Sequence, residues 1–306
     1  MHHVFKYRSI MDQKLTDMNQ NEVQSLIKLL DDTDSEVYQQ IEARLVTLGK
    51  EVIPILESAW SKSMDALMQQ RIENIIHKIQ FDDLQHELRV WAHSGGHDLI
   101  KGAMLVARYQ YADLNEESIR VQLDKISRDA WLEMNDNLTA LEQANVLNHI
   151  FFDVHHFSGN TQNYHAPQNS FINVALESRK GNPLMLSILY LEVARSAGVP
   201  VYGVNLPEHF VLCYKDEEAI LPIFTDENQQ QILFYINPFS KGDIFGKKEI
   251  DNFLKQLKID PDTSFYEPCS NLDMIQRLIR NLMNSYQKLG FLEKVDELNV
   301  LMKATE

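Results

Sequence analysis

The sequence predicts an α+β protein in three parts: an all-helical region over residues 1–110, a core over 111–265, and a C-terminal helical hairpin over 266–306. Three observations predict it. Apolar residues recur at helical spacing through the first hundred positions. The segment Asn182–Gly198 is apolar on nearly every side, as a central helix must be, and short strand-forming runs follow it. Near the end, two helical stripes are parted by a glycine.

In the N-terminal region Val23, Leu26, Ile27 and Leu30 form one stripe, which Asp31, Asp32 and Asp34 interrupt. Val37, Ile41, Leu45 and Leu48 form a second that stops at Gly49, and a third helix begins around Val52-Ile53-Pro54, with the proline in its first turn. Met68, Ile72, Ile75, Ile76 and Ile79 lie on one face of a fourth. The order of acidic turn, stripe, glycine and Ile-Pro resembles one HEAT repeat, with ordinary helix packing as the alternative.

Gly95-Gly96 breaks the pattern, which resumes over Leu99–Tyr111, over Ile119–Ile126 and in the stripe Val146, Ile150, Phe151, Val154. From Phe157 to Ser178 the chain is rich in Asn, His and Ser and reads as a long loop. The central helix then has Asn182 as N-cap, Pro183 in its first position and Gly198 past its end. Strands are expected at Val201–Leu206, His209–Tyr214, Ala219–Phe224 and Gln231–Asn237, with Asp226-Glu227-Asn228 turning a hairpin in an antiparallel sheet. Helices at Met274–Tyr286 and Leu292–Met302, split by Lys288-Leu289-Gly290, resemble one tetratricopeptide-like unit.

The formal charge is −15, spread along the chain, which disfavours nucleic acid and anionic membranes as partners. No run of apolar residues suits a signal core or a membrane span, and two cysteines make neither a disulfide framework nor a thiolate metal site. The expected address is the cytoplasm, and no cofactor or metal is expected.

A buried helix followed by an antiparallel sheet, with His at the start of one strand and an amide or acid at the end of its neighbour, is the layout of papain-like and transglutaminase-like enzymes. There a Cys at the helix N-terminus attacks, His activates it, and the third residue orients the imidazole. The counterparts here are the helix start Gly181-Asn182-Pro183, the imidazole of His209 and the side chain of Asn237. Residues 148–212, including R-K-G-N-P-L-M-L-S-I-L-Y-L-E (179–192) and V-N-L-P-E-H-F-V-L (204–212), closely resemble the bacterial SirB-type transglutaminase-like family. The similarity extends over roughly residues 110–300 and takes in the helix R-L-I-R-N-L (277–282). The resemblance implies a transglutaminase-like fold whose helix begins G-x-P rather than G-x-C, with a P-G-H-F motif and a later strand ending D-P-F. This chain agrees at Pro183 and departs at Glu208 and Asn237.

A proline has no nucleophilic atom, so thiol chemistry has nothing to start it. Cys213 lies about 13 Å along a strand from His209 at ~3.3 Å per residue and reads as a core thiol. Ser187, one turn past Pro183, points into the packed helix. His209 and Asn237 have two readings: a hydrogen bond between half-buried polar groups, or the lining of a ligand cleft. Glu208 would favour a charged imidazole if the two approached. Asn163, Tyr164, His165, Asn169 and Asn173 either pin down their own loop or form a polar wall over the helix N-terminus. His155, His156 and His165 lack co-ligands at metal spacing and read as solvated. The candidate cleft is Asn163, Tyr164, Asn169, Asn182, Glu208, His209 and Asn237. The function expected is a non-catalytic protein- or peptide-binding module; the alternatives are a hydrolase or amide-transfer enzyme using His209 without cysteine, and an architectural role.

Overall fold

In the computed structural model the structure describes residues 21–32, 34–216 and 232–306. The chain divides into two compact units, residues 1–86 and 87–306.

The first unit is helical. A helix over residues 21–27 is followed by α1 (Ser35–Leu48), α2 (Ile53–Lys62) and the beginning of α3 (Ala66–His93). Asp34 caps α1 by accepting the Glu36 N–H at 2.8 Å, and Gly49, at φ +72°, ends it in a backbone region that only glycine adopts freely. Val23, Ile27 and Leu30 meet Ile41, Leu45, Val52, Leu56, Ile72, Ile75 and Ile79 in one core. The Arg71 guanidinium closes the end of the first helix by donating to the carbonyls of Leu30 and Asp32, at 2.5 and 2.7 Å.

The second unit begins with α4 (Leu99–Arg108), α5 (Glu116–Glu133) and α6 (Ala140–Asn148), whose N-caps Asp98, Asn115 and Thr139 each accept a first-turn N–H. It continues through β1 (Ser158–Gly159), α7 (Ile172–Ser178), β2 (Lys180–Gly181) and α8 (Pro183–Ser196). Then come β3 (Val201–Val204), β4 (Val211–Lys215), β5 (Ile232–Asn237) and β6 (Asp243–Phe245), antiparallel in that order, and α9 (Lys247–Leu257). The helices α10 (Asn271–Leu289) and α11 (Leu292–Ala304) close the chain, parted by Gly290 at φ +81°. Helix α8 is the centre: Leu184, Met185, Leu186, Ile188, Leu189 and Tyr190 are buried all round it, which is why it reads as apolar on every side.

Four expectations need correction. The unit boundary falls at residue 86 rather than 110, because α4 is a core helix. Its Gly102 lies so close to Trp91 and to Ile275 of α10 that an added Cβ would sit 2.7 and 2.9 Å from them, and Ile100, Ala103, Met104 and Leu105 are buried. For the same reason the C-terminal hairpin belongs to this unit: the Tyr109 hydroxyl donates to Glu297 at 2.7 Å. The stretch from Phe157 to Ser178 is not one loop; it holds β1, a 3-10 turn at Pro167–Ser170 and α7, elements too short for a periodic pattern. Past α6 the chain makes a π turn over His149–Val154, in which the His155 N–H reaches back to the Ile150 carbonyl at 2.9 Å. That shifts the helical phase and leaves Val154 44% exposed, outside the stripe it was read into. The short β6 and the helix α9 were not foreseen. The expected strand Ala219–Phe224 and its hairpin turn lie outside the described residues. Among the described residues no helix is long and apolar enough to cross a membrane.

Candidate functional site

A cleft of ≈ 710 Å³ opens in the second unit between the start of α8, the β3–β4 loop, the turn at Tyr164-His165 and one face of α10. Asn182 builds the first wall. Its Oδ1 accepts the Met185 N–H at 2.8 Å, its Nδ2 donates to Ser170 Oγ at 2.8 Å, and its own N–H donates to the Asn169 carbonyl at 3.2 Å. Pro183 occupies the first helical position and has no N–H. With the Leu186 N–H bonded to the Asn182 carbonyl at 3.1 Å, the helix start presents the Leu184 amide alone, where a free N-terminus would present several.

His209 stands opposite, just before β4, and lines the cleft together with Pro183. Burial pulls its pKa below the ordinary value of 6.5; a hydrogen bond with Asn237 works against this, and the nearby Arg277 works with it. The imidazole is thus held neutral and oriented at pH 7. Asn237 ends β5, where its Oδ1 also accepts the Phe239 N–H at 3.1 Å and its Nδ2 donates to Ser240. It does not line the main cleft. With His209 it faces a second, mostly apolar pocket of ≈ 310 Å³ walled by Leu206, Val211, Phe245, Ile250 and Phe253. The expected trio is therefore split, and His209 stands between two cavities.

Glu208 lines the cleft as an exposed residue in left-handed backbone at φ +56°, which accounts for the glycine that the resemblance puts in the P-G-H-F motif. Tyr164 and His165 line the cleft, whereas Asn163 and Asn169 do not. Asn169 is buried in its own loop: its Nδ2 donates to the carbonyls of Asn163 and Tyr164 at 2.7 and 3.0 Å, and its Oδ1 accepts from Asn160 at 2.8 Å. Asn173 sits on α7, away from the cleft lining, with its Oδ1 buried and unpartnered among the described residues.

The thiols are remote from chemistry. Cys213 is fully buried between Tyr202 and Tyr235 of the flanking strands, and burial pushes it up to about 12; Cys269 is likewise raised to about 12. Ser187 is buried, and its hydroxyl donates to the Pro183 carbonyl at 2.8 Å. His155, expected to be solvated, instead has its side chain only 9% exposed, with Nε2 2.8 Å from Asp129 Oδ2. Among the described residues no three His, Cys, Asp or Glu side chains gather as a metal site.

The wall that the sequence reading missed is α10. Arg277, Arg280, Asn281, Asn284 and Lys288 line the cleft from one face, while Ile275, Leu278, Ile279, Leu282 and Tyr286 are buried on the other. The Arg277 Nη1 donates to Asn205 Oδ1 and to the Leu206 carbonyl, so it clamps the loop that delivers His209; burial lowers its pKa. The signal was present as polar residues three, four, seven and eleven positions after Arg277, a second stripe beside the apolar one.

Residues 117–280, a little over half of the chain, match the sequence profile of the Transglutaminase-like superfamily. F-box only protein 21 of Mus musculus is 32% identical over 159 residues, covering 51% of this chain and 23% of that protein. A UPF0162 protein of Xylella fastidiosa is 27% identical over 208 residues, 61% of this chain and 64% of that one. A UPF0162 protein of Vibrio cholerae is 24% identical over 159 residues, 51% of this chain and 53% of that one. The chain thus spans about a quarter of the mouse protein and under two thirds of the bacterial relatives. No solved structure matches it significantly.

Proposed function

This chain belongs to the transglutaminase-like superfamily, and from that premise we propose that it is a non-catalytic, SirB-type recognition module holding a segment of protein or peptide in the cleft beside α8. One observation carries the reading: Pro183 lines the cleft at the first position of the helix, where the attacking sulfur of a thiol mechanism would stand. Three others support it. The two thiols and Ser187 are buried or bonded away from the imidazole. The start of α8 has one backbone amide left for a developing oxyanion, fewer than a free helix end would offer. The cleft nonetheless stays open, lined by charged and amide side chains as well as apolar ones, with a volume typical of ligand sites. A region shared with F-box only protein 21 that makes up 23% of the mouse protein fits a module carried in chains of different make-up. The HEAT-like N-terminal helices and the TPR-like pair α10–α11 would add binding surface.

A second reading, hydrolysis by water activated at His209, has the neutral, oriented imidazole in its favour. Purified full-length chain incubated with peptide amides and hydroxylamine, followed by mass spectrometry, separates the two. The binding reading expects no product above buffer, with peptide retention lost when Asn284→Trp fills the cleft from the exposed side of α10. Product formation that His209→Ala abolishes would establish the second reading instead.

A further inference from the structure

We propose that the α10 face of the cleft is a carboxylate-binding wall, so that the segment held there is acidic; this rests on the reading of the cleft as a binding site. The chain carries 44 acidic and 29 basic side chains, so a cation is expected to find a carboxylate. Several cations elsewhere do: Arg44 pairs with Glu22, Arg120 with Asp98, Arg195 with Glu192 and Lys101 with Glu116. The cleft gathers three cations that do not. Arg277, Arg280 and Lys288 line it, and among the described residues none of the three is paired with a carboxylate. Arg277 bonds to neutral groups, Lys288 lies 3.3 Å from a ring nitrogen of His165, and Glu208 is the only acid in the lining.

Clustering like charges on one helix face repels, and among the described residues no carboxylate forms an ion pair with any of the three. Arg277 adds desolvation, since it is withdrawn from solvent beneath the β3–β4 loop and against the Phe210 ring, 5.7 Å from its guanidinium carbon. Asn281, Asn284 and Ser285 stand between the cations, with donors and acceptors suited to a peptide backbone. A bound carboxylate would supply the missing counter-charge. It can come from a side chain or from a chain end, and the guanidinium forks suit either.

The test uses the full chain and four NBD-labelled hexapeptides of otherwise common sequence, followed by fluorescence anisotropy in 50 mM and 500 mM salt. One has two glutamates and an amidated end, one two glutamines and a free carboxylate, one two glutamines and an amidated end, and one two lysines and an amidated end. We expect the first or second to bind at least tenfold more tightly than the third, the fourth to be weakest, and the preference to shrink in high salt. Arg280→Gln with Lys288→Gln should weaken the preferred peptide about tenfold, the scale of one charge-assisted hydrogen bond, while Arg280→Lys retains most of it. The glutamate and free-end arms identify the source of the carboxylate. Equal binding of all four peptides, or no effect of the double variant, would overturn the acidic preference and leave the binding reading standing. Binding of none would overturn both, and cleavage of any would overturn the non-catalytic reading.

Discussion

At the scale of single residues, Pro183 and His209 separate what the site holds from what it lacks. A cysteine at position 183 would stand at the first position of α8 on the cleft lining, where the helix dipole favours a thiolate. Pro183→Cys should therefore gain one thiol that iodoacetamide alkylates at pH 7.5, while Cys213 and Cys269, both raised to about 12, stay unreactive in the folded chain. Mass spectrometry of the alkylated protein counts the adducts; no adduct at position 183 would mean that the helix start does not activate. His209 makes a second prediction. Its folded-state pKa lies below 6.5, chiefly through burial, so on acidification the unfolded chain takes up the proton first. The stability that goes with a neutral imidazole is full above about pH 6.5 and is lost as the pH falls through the folded value. Asn237→Asp would put a carboxylate where the amide now bonds the ring, and should move the His209 titration upward in NMR and flatten that acid-side loss. A titration unmoved by the substitution would detach Asn237 from the imidazole.

At the scale of elements, the turn after β5 fixes Asn237. Gly242 sits there at φ +79°, where a Cβ would fall 2.0 Å from Asn148 Oδ1, and the Asn148 Nδ2 donates to the Gly242 carbonyl at 2.9 Å. The same Asn148 accepts from the Tyr190 hydroxyl of α8 at 3.0 Å, so one amide ties α6, α8 and the β5–β6 turn together. Gly242→Ala adds left-handed strain to a clash with the hydrogen-bonded Asn148 side chain and should cost about 2–4 kcal/mol in urea unfolding. A loss under 1 kcal/mol would mean that the turn relaxes freely. None of this was legible in the sequence, whereas other ends were: Gly49, Asn182 and Gly290 announce their helix ends because the residue that bonds the free amide or takes the positive φ is local. The central helix was legible because burial on every side leaves no polar stripe. What escaped was short or two-faced. The three residues of β6 and the seven of α7 are below the length at which a period shows, and the π turn at His149–Val154 changes the period midway. In α10 the apolar stripe drew the reading toward packing and hid the cationic stripe beside it. Of the expected site, Pro183, Asn182, Tyr164, Glu208 and His209 do share the cleft; Asn169 is spent inside its own loop because a buried amide must satisfy all its bonds locally.

At the scale of the whole molecule, every residue lining the cleft lies between 164 and 288, within the unit that begins at residue 87. The helix α4 belongs to that unit although the sequence groups it with the N-terminal helices. Leu99, Ile100, Ala103, Met104, Leu105 and Val106 are buried, and the tight approach of Gly102 to Ile275 seats α4 on the very helix whose other face walls the cleft. Two truncations therefore have opposite fates. A chain beginning at Asp82 sheds Ile72, Ile75 and Ile79, keeps α4 and Trp91, and places two carboxylates, Asp82 and Asp83, at its new helix N-terminus, where the dipole favours them. It should melt cooperatively by circular dichroism and bind peptide as the full chain does. A chain beginning at Tyr111 lacks α4 and exposes the apolar face of α10. At about 1.5–3 kcal/mol for each large side chain left without cover, the loss is comparable to the whole 5–15 kcal/mol that holds a domain folded. That shorter chain should show no cooperative transition. A sharp melt from it would mean that α4 is an appendage, and that α10 owes its orientation in the cleft to α11 and α8 alone.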